Sequence, residues 1–273
     1  MKSGRIESVT RAVALVVVTL ALPITAHAQT RDDWQFQAII YGYFPDIGGT
    51  TSFPERGGSS INVDASKLID NLKFTFMGTF EARKGRYGFL TDILYLDVGG
   101  SNTGTRNLSI DGHEPPVGVT ANANLDLKGA VWELAGTYRA IAEPAATVDL
   151  LAGARLLDLK QTLSYSLSAD VGPLVGPGRS GSSNVKVSYW DAIVGAKGRF
   201  SFGANRQWFV PWYADVGTGQ SDLTWQVIGG LGYAFSWGQV IGGWRYIDYK
   251  FKSSSEVQSL DFNGPMLGVA FSW

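Results

Sequence analysis

From Val185 to Trp273, apolar residues return at every second position, one segment after another. Trp225, Val227, Gly229, Leu231, Tyr233 and Phe235 share one parity, while Thr224, Gln226, Ile228, Gly230, Gly232, Ala234 and Ser236 share the other. A period of two is that of an extended strand, whose successive side chains point to opposite faces. The first series suits hydrocarbon and the second a crowded interior. The chain stops on Phe271-Ser272-Trp273, still in phase with the outward Leu267 and Val269. This pattern predicts an all-β chain closed into a transmembrane antiparallel up-and-down β-barrel, because closure pairs every backbone group where no water can do so.

Ten strands are expected, and the parity of their apolar residues sets which side faces lipid. The first spans about Trp34 to Tyr43, with Trp34, Phe36, Ala38 and Ile40 outward. After a long connection holding Gly48-Gly49, Pro54 and a short helix from Ala65 to Leu72 capped by Asp64, the second runs about Lys73 to Arg83. It puts Phe74, Phe76, Phe80 and Ala82 outward. Others follow at about Tyr87 to Val98, Asn122 to Ile141, Thr147 to Ser166, Val185 to Phe202 and Trp208 to Asp215, then Thr224 to Ser236, Gln239 to Lys250 and Ser259 to Trp273. Between them, long or medium connections alternate with short ones, and every short turn falls on the side that holds both termini. Outer-membrane barrels have this asymmetry, with short periplasmic turns and longer outer loops. Eight or twelve strands remain open, since the long first connection has room for a pair. All nine tryptophans take outward parity or a strand end, as an interfacial girdle requires of a ring with an apolar body and a hydrogen-bonding edge.

The N-terminus places Lys2, Arg5 and Arg11 before the apolar run Ala12 to Leu22, then Pro23 and Ala26-His27-Ala28. This is the layout of a cleaved signal peptide over residues 1–28, leaving residues 29–273 as the barrel domain; the run is too short for a spanning helix of ~20 residues. Loss of three basic residues and Glu7 moves the net charge from −1 to −3, which argues against a nucleic-acid partner. With no cysteine, an exported chain gains no disulfide support, and closure of the sheet must hold it.

Charges of inward parity are Glu81, Asp92, Glu133, Asp149, Asp191 and Asp215 against Arg83, Arg139, Arg155, Lys197, Arg199 and Arg245. Acids and bases balance. That is what a narrow lumen filled by mutually paired side chains needs, whereas a pore selective for one sign more often carries a surplus ring of that sign. Two segments echo each other, matching at Gly153/Gly243, Arg155/Arg245, Asp158/Asp248 and Lys160/Lys250. Read functionally, the arginines are cationic ligands for an anionic solute; read structurally, each glycine clears space for an arginine to reach opposing carboxylates, and the second reading is preferred.

The segment from Trp190 to Arg199, "GARLLDLK" (Gly153 to Lys160), "GWRYIDYK" (Gly243 to Lys250), the "GGLGYAFSWG" hairpin and the aromatic end together resemble the small, largely uncharacterised outer-membrane β-barrel proteins of Gram-negative bacteria. The resemblance covers essentially the whole chain after residue 28. It implies fold and location, and brings no activity or catalytic residue with it.

Catalytic chemistry is thinly represented. His113, the one histidine after the leader, lies in a loop beside Glu114 without a positioned nucleophile or oxyanion donors, and no spacing singles out Asp46, Asp111 or Asp170 as paired carboxylates. Without cysteine or clustered histidine no metal is expected, and no cofactor either. The glycines around Gly176 to Gly181 lack the Lys-Ser/Thr and the following helix of a phosphate loop. The expected protein is therefore a non-enzymatic barrel in the bacterial outer membrane with a structural or surface-binding role and both termini periplasmic. Its partners are membrane lipid and, on the outside, a small solute or extracellular ligand. The alternatives are a narrow channel for small solutes or ions and, further off, an outer-membrane hydrolase.

Overall fold

The computed structural model describes residues 33–51, 59–63, 72–103, 119–171, 174–175, 179–253 and 257–273. The expected signal peptide, most of the expected Ala65–Leu72 helix, Asp111 and His113 lie outside them. In chain order the strands are β1 (Trp34–Tyr43), β2 (Asp46–Thr51), β3 (Ser59–Val63), β4 (Leu72–Lys84), β5 (Tyr87–Thr103), β6 (Val119–Ala142) and β7 (Ala146–Val171). They continue with β8 (Leu174–Val175), β9 (Arg179–Phe202), β10 (Trp208–Gly219), β11 (Leu223–Ala234), β12 (Gln239–Lys250) and β13 (Val257–Ser272).

Strands β1, β4, β5, β6, β7, β9, β10, β11, β12 and β13 pair antiparallel in that order, and β1 closes on β13 from Gln37↔Ser272 to Tyr43↔Met266. The chain is thus a closed antiparallel up-and-down barrel of ten staves, as its alternation predicts. The first connection does hide two more strands, but they do not widen the ring. β2 continues β1 in the same register against β13, with Asp46↔Asn263 following Tyr43↔Met266. The two part only at Phe44 and Pro45, where proline has no N–H to offer the ladder. β3 then pairs back on β2.

Four tight turns and both ends of the barrel wall gather at one rim. They join β4 to β5, β6 to β7, β9 to β10 and β11 to β12. Gly85 at φ 60° and Gly203 at φ 85° take left-handed conformations that favour glycine, and Arg206 is forced into one at φ 52°. Away from this rim the wall rises unevenly, for β6, β7 and β9 run 24, 26 and 24 residues. A tilted strand needs only ~9–11 residues to cross a bilayer, so these three continue far beyond one.

The outer surface follows the expected parity. Val194 and Leu267 stand 58% and 61% exposed, large apolar side chains such as a lipid-facing wall presents. Aromatic rings bound this belt on both sides. Near the turns Trp34, Phe36 and Trp273 stack in sequence, and Phe235, Trp237 and Phe271 continue the row. Toward the other end Trp132 meets Trp190 edge-on at 6.0 Å and donates from Nε1 to Thr91 at 2.9 Å, while Trp244 donates to Asn263 at 2.7 Å. Ten residue steps of β9 separate Trp190, in the far row, from the outward Phe200 near the turns. At ~3.3 Å per residue and a tilt of ~40° they rise about 25 Å, the height of an outer-membrane barrel's apolar band.

Candidate functional site

The lumen is layered, and its layers follow from which inward positions are charged. At mid-height two arginines lie fully buried, Arg155 on β7 and Arg245 on β12. Arg155 donates to Glu133 on β6 at 3.1 Å, to Asp215 on β10 and to the Thr224 hydroxyl at 3.2 Å. Arg245 donates to Asp92 on β5 at 2.8 Å, to the Tyr41 hydroxyl at 2.7 Å and to the Gln226 side-chain oxygen at 2.8 and 3.0 Å. Gln226 joins the two halves, since its amide nitrogen reaches Glu133 and Asp215, both at 3.5 Å. Three carboxylates face two guanidiniums here. Hydroxyl donors meet the excess: Tyr41 and Thr79 donate to Asp92 at 2.9 and 2.7 Å, and Tyr213 donates to Glu133. Buried charge is tolerated when paired and hydrogen-bonded in this way. One carboxylate oxygen of Asp215 and the Nε of Arg155 are buried without a protein partner.

The other seven inward charges lie outside this layer. Lys197 on β9 reaches across to Glu81 on β4, and Arg139 grips Asp149 with two nitrogens. Asp191 lies on the far side and fastens the β10–β11 turn, accepting from the Ser221 backbone N–H at 2.9 Å and from its hydroxyl. Arg83 and Arg199 have no carboxylate partner among the described residues. Arg199 donates instead to Ser201 at 3.0 Å and Gln239 at 3.1 Å, and its guanidinium lies 3.7 Å from the ring centre of Phe209. The equal tally of acids and bases is therefore not uniform in space: among the described residues, the inward carboxylate without a cation, Asp191, is on the loop side, and the inward cations without carboxylates are at the turn side.

Beyond the arginine layer, toward the long loops, the lumen is filled by hydrocarbon. Leu94, Leu96, Val131, Leu157, Ile247 and Phe262 belong to one buried cluster, joined by Tyr249 and Phe251 stacked at 5.9 Å. The expected lumen filled by mutually paired side chains describes only part of what is found. Paired charge occupies the arginine layer and the turn side of it, and the strands that overrun the apolar belt carry apolar residues on their inner face, where they pack against each other as in any core. Toward the turns lies a cavity of about 530 Å³ whose floor includes Asp92, Glu133 and Gln226 and whose mouth includes Arg83, Arg199 and Arg206.

The glycines of the repeated segment clear space for a different reason from the one expected. A Cβ on Gly153 would stand 2.0 Å from the Leu134 carbonyl oxygen, and one on Gly243 would stand 2.6 Å from that of Gly229. They admit a neighbouring strand's backbone, not the arginine. The segment's Asp158 and Lys160 have outward parity and take no part in the arginine layer. The neutral members that sequence charge-counting passed over, Tyr41, Tyr213, Thr224 and Gln226, carried one usable signal: inward parity beside a charged inward residue.

No protein-family model matches the chain, and no curated protein does. Solved structures are similar to it at low identity. The outer membrane protease OmpT from Escherichia coli is 12% identical, with 89% of this chain and 98% of that one covered and a TM-score of 0.46. Ail, the attachment invasion locus protein of Yersinia pestis, is 10% identical over 89% and 100% at a TM-score of 0.30. Neisserial surface protein A is 12% identical over 87% and 96% at 0.26.

Proposed function

We propose that the protein is a non-conducting, non-enzymatic barrel of the bacterial outer membrane that serves as a scaffold for its own outer surface. The supporting observation is the closed lumen: Arg155, Arg245, Glu133, Ile247 and Tyr249 are each at most 1% exposed. A path for water or ions would have to leave such groups wet. The unequal wall supports the other half of the reading, because β6, β7 and β9 raise a rigid extension on the loop side, where an extracellular ligand is expected. The turns and both termini then face the periplasm, after removal of residues 1–28, and the apolar belt faces lipid. Single-channel recording in planar bilayers tests the reading. We expect no conductance steps, and a steady, large unitary conductance would replace the scaffold by a channel.

A further inference from the structure

We propose that the turn-side cavity is a binding site for an amphipathic organic anion, an acyl or aromatic carboxylate entering from the periplasmic face. The orientation rests on the reading above; the chemistry of the site does not. Its cation balance carries the first half of the argument. Each carboxylate lining the cavity is already held by a cation: Glu81 by Lys197, Asp92 by Arg245, Glu133 by Arg155 and Asp149 by Arg139. Arg83, Arg199 and the turn residue Arg206 line the same cavity and have no carboxylate partner among the described residues, and the first two stand on the barrel wall. Their placement follows from the contact above them. Lys197 and Glu81 touch across the lumen, and both β9 and β4 run from there toward the turns. Arg199 and Arg83 are each the next inward residue, one two-residue step of ~6.6 Å nearer the mouth. The two guanidiniums thus stand on facing walls, neither paired with a carboxylate of the described residues. Arg199 is also preset, stacked on Phe209 and held by Ser201 and Gln239, so that little side-chain freedom is lost when it binds a carboxylate.

The wall between mouth and floor supplies the second half. Ile39, Leu90 and Ile228 are each one inward step on the turn side of a member of the buried layer, namely Tyr41, Asp92 and Gln226. With Ile241 they make an apolar collar under the cations. At about 530 Å³ the cavity lies within the usual range for small organic ligands, ~300–1,000 Å³, which are commonly held by apolar walls and a few placed polar groups. A bare inorganic anion would leave the collar unused, and a neutral amphiphile would leave the arginines unused.

The test is calorimetric titration of the full barrel, reconstituted in lipid nanodiscs, with octanoate and, separately, with octanol and inorganic phosphate. We expect saturable octanoate binding absent from empty nanodiscs, weakened at least tenfold in Arg83→Gln/Arg199→Gln, with neither octanol nor phosphate competing at equal concentration. Folding of each variant is checked by its heat-modifiable gel mobility. Should the double variant not fold, Ile241→Trp fills the collar with both arginines intact, and the same loss is expected there. Octanoate binding no stronger than to empty nanodiscs, or unchanged in the folded variants, overturns the inference, as does equal competition by phosphate or octanol. Failure here is separable from failure of the scaffold reading: a silent barrel that does not bind octanoate refutes only the site, and a conducting barrel that binds it refutes only the scaffold.

Discussion

Removing one arginine from the buried layer should be costly, and the two arginines should not cost the same. Taking one partner from a buried ion pair typically destabilises by ~3–5 kcal/mol, because the charge left behind is uncompensated. Arg245→Met strands Asp92, which still accepts from Tyr41 at 2.9 Å and Thr79 at 2.7 Å. Its cost should fall near the lower end, about 3 kcal/mol. Arg155→Met strands two carboxylates, Glu133 and Asp215, and Asp215 keeps only the distant Gln226 amide at 3.5 Å. This cost should approach the upper end, about 5 kcal/mol. A difference of about 2 kcal/mol is roughly a 30-fold change in the unfolding equilibrium. Urea unfolding of barrels refolded in lipid, followed by tryptophan fluorescence, measures both. Adding Asp215→Asn to Arg155→Met should recover part of the loss, whereas Asp215→Asn alone should destabilise, so that the double variant costs less than the sum of the two single ones. Neither arginine variant should conduct, since the apolar cluster beyond the layer still seals the lumen. Costs below about 1 kcal/mol in both variants would mean that water reaches the layer and that these pairs behave as exposed ones do. Conductance appearing on loss of one arginine alone would make the charged layer, not the hydrocarbon, the seal.

The remaining predictions concern the wall. Val194→Arg, midway between the aromatic rows and 58% exposed, should lower stability by ~2–4 kcal/mol in lipid, with Val194→Leu near neutral; equal stability of the two in the same unfolding assay would move the lipid face elsewhere. Gly153→Val should prevent formation of the heat-modifiable folded band, because its Cβ would stand 2.0 Å from the Leu134 carbonyl oxygen and 2.6 Å from the Ala135 Cα. A folded Gly153→Val barrel would show that β6 and β7 need not approach so closely there.

How much of this protein could be read along the chain divides by distance. Parity is local: a period of two says which side each residue takes, so the outward Val194 and the inward Arg155 and Arg245 were all legible from neighbours a few residues away. Turn spacing extended this to a barrel with its tight turns at one rim. Three features were not legible, for three different reasons. Lys197 and Glu81 are 116 residues apart and meet only because closure and strand tilt bring β9 opposite β4 at one height, and neither closure nor tilt is written in any segment. The same geometry decided that acids and bases equal in number would leave Asp191 on the loop side and Arg83 and Arg199 at the mouth without an ion-pair partner among the described residues. The apolar filling beyond the arginines was present as inward Leu94, Leu96, Leu157 and Leu159, yet a count of inward charges passes over it. The first connection concealed β2 because Phe44 and Pro45 interrupt the alternation, although the register against β13 runs on through them. Sequence therefore assigns faces, through sterics that act between adjacent residues. What touches what inside the lumen is settled by the closed sheet, which sets the heights at which side chains from distant strands arrive.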